Sequence, residues 1–478
     1  MKKRINRIFL ILVTVILAVA MSVFSVACDI NDVFNSDKND AVTTPDETEK
    51  PGETEKPGET EKPGETEKPG ETEKPGETEK PGETEKPGET ERPGETEDPD
   101  NPDPDYNGEL VSGSKEEIGS AKVSIHFLEL GNKNAGDSIL IKCGDTEVLI
   151  DAGSQQSSAA TLKSYINQYC TDKKLEYLIS THGDSDHISG LVGTKSNGAY
   201  NGILYSYEIG TLIKFDYTEK SETTASGNRS LYGNYIDAIN YVESRGTQVF
   251  TASQCYDEVG DARRQYYLDD EQTVSINILY NYYYYHKSSD ENNHSVVTLL
   301  TEELDDCRRN YLFTGDLEED GESKMVDYYK SVPEGYATEY NVLPEVELYK
   351  AGHHGSKTSS TEKLLEVIKP KYVAVCCCCG GPEYTKTNNN TFPTQEMINH
   401  VAKYTDKIYV TTLATGLPDK DENGNYTSQK YGGFTSMNGN IVFYSSESKL
   451  KLYCSNNDTI LKETDWFKEN RTWPSDGV

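Results

Sequence analysis

The chain has 478 residues, a formal net charge of −34 and only 8 histidines. Residues 1–105 hold 27 acidic and 13 basic side chains, which leaves 54 acidic and 34 basic, or −20, for residues 106–478. A body that acidic lacks the broad positive surface that drives non-specific nucleic-acid binding, and 10 scattered cysteines at this length do not make a disulfide-stapled scaffold.

In chain order, the first feature is MKKRINR, followed by the apolar run Ile8 to Ala20 and by MSVFSVAC ending at Cys28. A basic stretch, an apolar stretch and small residues before a cleavage point predict a secretory signal over residues 1–28. Ser25, Val26, Ala27 and Cys28 resemble a bacterial lipoprotein box, with Ser25 where Leu is usual. The expectation is a lipid anchor on Cys28 and a place at the extracellular face of the membrane. Release as a soluble secreted protein and an uncleaved anchor through Ile8 to Ala27 stay open.

Residues 29–108 read as a disordered linker. Within it, residues 51–98 are eight hexads, six PGETEK, then PGETER and PGETED. Proline every sixth residue breaks helix and strand, and the hexad has no apolar side chain from which to build a core. The reach of the repeats lies between a coil of roughly 40 Å and an extended rod of about 150 Å.

A single α+β domain is predicted over residues 121–455, with residues 456–478 as a C-terminal extension. VSIHFLEL, DSILIKC and TEVLIDAG alternate like three short strands of a meander. SSAATLKSYINQYC has helical spacing, and LEYLIST is a near-continuous apolar strand. At its end stands THGDSDHISG, residues 181–190. Here His182 and Asp184 can aim at one cation and Asp186 and His187 at a neighbour, a floor that needs ligands from elsewhere. A polar loop with helix-capping aspartates is the plainer alternative.

LYNYYYYHKSSDENNH, residues 279–294, holds five tyrosines in six positions, read as alternating strand packing, with rings stacking on substrate as the alternative. NYLFTGDLEED sets Asp316 after an apolar strand, and VELYKAGHHGSKTSS sets His353 and His354 after another. Neighbours on a strand face opposite ways, so Cys376, Cys377, Cys378 and Cys379 in KYVAVCCCCGG are expected to pack in the core. A disulfide or metal cluster there is the lesser reading.

LIDAG at 149–153, THGDSDHISG at 181–190, FTGD at 313–316 and AGHHGS at 351–356 resemble the successive motifs of metallo-β-lactamase-fold hydrolases. They are similar in particular to the branch related to the ComEC-type competence hydrolase domain, over roughly residues 121–450. The resemblance implies a four-layer αββα sandwich with two divalent ions, Zn2+ or Mn2+, at one edge. By position, His182 and Asp184 would serve one ion, Asp186 and His187 the other. Asp316 would bridge, His353 would complete the second ion, and Asp151 would orient the site. In the catalytic roles, Asp186 would align the attacking water and His354 would donate a proton to the leaving group.

Four departures bear on this. The separate His that many family members use for the first ion has no clear equivalent; its place falls near DENNHSVVTLL, where His294 is a candidate ligand or an ordinary turn residue entering a strand. Asp184 stands where the wider family has His, which enriches the site in oxygen and favours harder ions. The Gly-x-Gly-Asp turn is stretched to GNKNAGD at 131–137, and NTFPTQE at 390–396 carries Thr394 where related chains have a His beside Pro. The function read from these motifs is hydrolysis of a phosphoester, foremost a phosphodiester. Extracellular DNA, nucleotides and phosphate-bearing wall polymers are the substrate candidates, the membrane is a partner through the anchor, and no protein partner is implied. A non-catalytic surface binding module competes, and a lactonase or thioesterase is a third reading.

Overall fold

A computed structural model describes residues 111–305, 307–333, 342–446 and 449–478. The expected signal segment 1–28 and the repeat linker 29–108 lie outside the described residues. Among the described residues no helix is long and apolar enough to cross a membrane.

The meander forms as predicted, because Val123–Phe127, Ile139–Cys143 and Thr146–Ile150 pair antiparallel in succession. Lys174–Ser180, Glu208–Lys214 and Gln248–Thr251 extend the same sheet in parallel. Ile441–Ser446, Lys449–Cys454 and Val111–Ser112 complete its other edge, making nine strands. A second sheet has eight strands, of which Arg308–Phe313, Leu348–Lys350, Tyr372–Cys379 and Ile408–Thr415 run parallel.

Strand alternation sorts the side chains into layers. Val123, Ile125, Phe127, Phe313, Tyr372, Cys376 and Phe443 share one buried cluster between the sheets. Leu162 and Ile166 of the helix Ser158–Ile166 join that cluster from the outer side of the nine-stranded sheet. On the second sheet the alternate residues Val373, Val375, Cys377 and Cys379 meet Met325, Leu364, Leu365 and Met397 of the covering helices. The result is the four-layer αββα sandwich, with mixed sheets in the middle.

The cysteine run is therefore core. Cys376 to Cys379 are all buried and free, and they belong to three different clusters, which rules out one shared ion. Residues 456–478 are part of the same body, contrary to the expected extension. Trp466 and Phe467 of the helix Asp465–Asn470 are buried in the core, and the Arg471 guanidinium donates to the Thr391 and Pro393 carbonyls at 2.8 and 3.1 Å.

Tyr282–Tyr284 form a 3-10 turn where alternating strand packing was expected. Their role is still structural. Tyr284 is buried with its hydroxyl accepting from Val297 N at 2.9 Å, Tyr283 bonds Asp320, and Tyr280 stacks on Tyr328 at 3.9 Å between centroids.

Candidate metal centre

Parallel strands of both sheets end at the same rim, and the loops that leave them carry the polar residues. Fixed strand ends under accessible loops are where chemistry is commonly placed.

Asp151 follows Thr146–Ile150 in a left-handed conformation, φ 56°. This turns its carboxylate under the 181–187 loop. There it accepts from Thr181 N at 2.8 Å, Thr181 Oγ1 at 2.6 Å and His187 Nδ1 at 2.7 Å. With Nδ1–H committed to Asp151, the His187 Nε2 lone pair points into the site, the orientation a metal-ligating imidazole needs.

The helix Ser185–Val192 begins inside the motif with Asp184 at its N-cap, yet the Asp184 side chain makes no capping bond. Its carboxylate instead stands 3.5 Å from His182 Nε2 and pairs with Lys220 Nζ. The capping alternative for this aspartate is thereby excluded. Burial resists the charge on Asp184, but His182 and Lys220 outweigh it and lower its pKa to about 2.

Gly315 takes φ 56°, and a Cβ there would lie 2.9 Å from Ser295 Oγ and 3.0 Å from Thr181 Cβ. Glycine is what lets Asp316 approach the 181 loop so closely. Asp316 Oδ2 lies 3.1 Å from both His187 Nε2 and His354 Nε2, and His354 Nε2 lies 3.3 Å from Asp186 Oδ2. Suitable donor atoms of these four residues all fall within 4.8 Å of one another.

The structure brings His354 to the cluster, and turns away His353, to which sequence comparison gave the ligand position. Both residues are left-handed, with φ 55° for His354 and 43° for His353, and their rings diverge. His353 Nδ1 sits 2.9 Å from Glu318 Oε1 and its ring is partly exposed. His354 Nδ1 lies 3.0 Å from the Cys376 carbonyl, which it can only reach as a donor. Its Nε2 faces Asp316 and Asp186, where it can serve as a metal ligand. His294, the other candidate, is buried with Nδ1 3.4 Å from the Tyr283 carbonyl and is no member of the cluster.

Several groups at the site carried little sequence signal. Lys350 is fully buried, with Nζ 2.5 Å from Asp137 Oδ2, 3.0 Å from the Gly315 carbonyl and 3.3 Å from Asp316 Oδ1. A lone lysine inside the apolar VELYK strand was its one visible mark, since a buried charge must be paired. The stretched 131–137 turn still delivers Asp137, whose Oδ1 is 3.2 Å from His354 Nδ1. Tyr384 donates to Asp186 Oδ2 at 3.1 Å from the loop after Tyr372–Cys379, and its ring packs on Phe392. Thr394 is spent on structure, donating to the Gly355 carbonyl at 3.1 Å and accepting from Met397 N at 3.2 Å.

The residues present fit a divalent cation on two counts. The Nε2 atoms of His187 and His354 are buried without a hydrogen-bond partner although carboxylate oxygens lie about 3 Å away. Ligands of one ion, each about 2.1 Å from it, are spaced at about that distance without bonding each other. Charge gives the second count, because Asp137 and Asp316 share the Lys350 ammonium while Asp151 and Asp186 are paired with the His187 and His354 rings. Burial works against charge on His187 and His354, yet Asp316 with Asp151 or Asp137 holds both well above the ordinary imidazole range. Those protons mark positive charge that a cation can supply instead.

Residues 131–246 match the family model described as the Metallo-beta-lactamase superfamily, a segment that includes the 182–187 loop and ends before Asp316 and His354. Among solved structures, the metallo-beta-lactamase fold protein YhfI from Bacillus subtilis is 10% identical, with 61% of this chain and 96% of that one covered at a TM-score of 0.31. The metallo-beta-lactamase SMB-1 is 11% identical over 48% of this chain and 79% of that one, TM-score 0.27. A putative metallo-beta-lactamase from Thermotoga maritima is 14% identical over 46% and 88%, TM-score 0.25. No curated protein matches the sequence. Residues 131–246 are thus similar to the metallo-β-lactamase superfamily, and Asp186, His187, Asp316 and His354 form a His and Asp donor set that could hold a metal ion.

Proposed function

We propose that this protein is an exported, membrane-tethered phosphodiesterase of the ComEC-type branch, acting on extracellular DNA, nucleotides or a phosphate-bearing wall polymer. The observation that carries the reading is the convergence of Asp186, His187, Asp316 and His354 on one point at the rim of the sheets. The branch and the tether rest on the motifs and the N-terminal pattern of the sequence. Two ions are what the motif resemblance implies.

A divalent cation bound there supplies positive charge to the ester oxygens and lowers the pKa of water. The chain's own residues do the rest. The Asp186 carboxylate is partly exposed; its Oδ2 faces His354 and accepts from Tyr384, which leaves Oδ1 to accept a proton from the attacking water. Asp151 and the Cys376 carbonyl fix the two imidazoles, and Lys350 fixes Asp316 from behind. A −20 body offers anionic substrates little attraction away from the rim, which concentrates binding at the cationic centre.

The test is hydrolysis of bis-p-nitrophenyl phosphate by the full chain loaded with Mn2+ or Zn2+. Turnover that disappears in Asp186→Ala supports the reading. Metal retention with no turnover on any ester would identify a binding module, and turnover on carboxylic esters alone would identify a lactonase or thioesterase.

A further inference from the structure

The rim has a second half that is built differently. His182 Nε2 is buried without a partner and faces Asp184, but no third His, Cys, Asp or Glu among the described residues joins this pair in a ligating cluster. Two protein donors hold a cation poorly, since three or four are usual for a resident ion. The free oxygen of Asp184 is taken by the ammonium of Lys220.

Lys220 is there because a buried carboxylate clamps its loop. Glu291 is 7% exposed and accepts from Gly183 N at 3.0 Å, Thr218 Oγ1 at 2.7 Å and Glu219 N at 2.7 Å. One side chain therefore ties the loop bearing Lys220 to the loop bearing His182 and Asp184. Gly183 makes the seat, because a Cβ there would lie 2.5 Å from Glu291 Oε1, 2.9 Å from Thr218 Oγ1 and 3.4 Å from Lys220 Cγ. The Lys220 backbone N–H adds a bond to Thr218 Oγ1 at 2.9 Å. With 38% of its side chain exposed, Lys220 is both anchored at the site and reachable from solvent.

Resting on the phosphodiesterase reading, we propose that Lys220 stands in for the first metal ion. One divalent cation is held by Asp186, His187, Asp316 and His354, and the Lys220 ammonium is the fixed cation on the Asp184 side. An ammonium has three N–H donors. One serves Asp184, and two remain for the non-bridging oxygens of a phosphodiester. The substrate is then gripped between a metal ion and a lysine rather than between two metal ions.

The experiment is metal analysis by mass spectrometry of the full chain, loaded with Mn2+ or Zn2+ and dialysed, alongside kinetics on bis-p-nitrophenyl phosphate. The wild type should keep about one ion per chain. Lys220→Ala should keep that ion and raise KM about tenfold or more, the scale of losing a charge-assisted hydrogen bond, while Lys220→Arg should restore most of the affinity for substrate. A thermal melt confirms that the exposed substitution leaves the fold intact. Two tightly held ions in the wild type, or an unchanged KM in Lys220→Ala, would overturn the proposal and leave the phosphodiesterase reading standing. No retained ion would end both.

Discussion

Around Asp316 three of the four clustered residues are tied down from behind: His187 by Asp151, His354 by the Cys376 carbonyl, Asp316 by Lys350 and by its N–H to Ser295 Oγ at 3.1 Å. Around Asp184 the carboxylate is 27% exposed and its cationic partner arrives on a solvent-facing loop. The buried half has the rigidity needed to hold a cation permanently. The open half has the access needed for the Lys220 ammonium to take phosphate oxygens while it stays paired with Asp184. What separates them is the supporting shell more than the residue types, since both halves are made of His and Asp.

The comparison can be broken from either side. In the buried half, His354→Ala should abolish tight metal retention, whereas His353→Ala should leave the metal content unchanged because that ring faces Glu318; metal analysis of the two variants separates them. Lys350→Met would leave Asp137 and one oxygen of Asp316 buried without their cation, and should cost about 3–5 kcal/mol in denaturant unfolding. Asp151→Asn keeps the left-handed backbone but loses an acceptor for His187 and Thr181. It should weaken metal binding by roughly 10–100-fold in a competition titration with a chelator. At the open edge, Tyr384→Phe should lower kcat/KM only a few-fold, the worth of one hydrogen bond of about 1 kcal/mol, with metal content unaltered.

Much of the buried half was legible because its rules are local. A side chain placed directly after an apolar strand inherits that strand's position, and Asp186 and His187 after Lys174–Ser180 do come together with Asp316 after Arg308–Phe313. The choice between His353 and His354 was not local. It depends on two successive left-handed residues, which nothing in AGHHGS spells out. Glu291 holds Thr218 and Glu219, next to Lys220, across 73 and 72 positions through loop contacts with no periodic pattern to announce them. The tyrosines 282–284 misled because their spacing fits a strand equally well. The tail at 456–478 misled because its two apolar anchors, Trp466 and Phe467, look sparse until they are seen packed behind Gly380 and the cysteine strand.

The most direct measurement of the central claim is anomalous diffraction at a metal absorption edge from crystals grown with Mn2+ or Zn2+. The account predicts a peak enclosed by Asp186, His187, Asp316 and His354. Its absence there, or a peak at His353 and Glu318 instead, would contradict it.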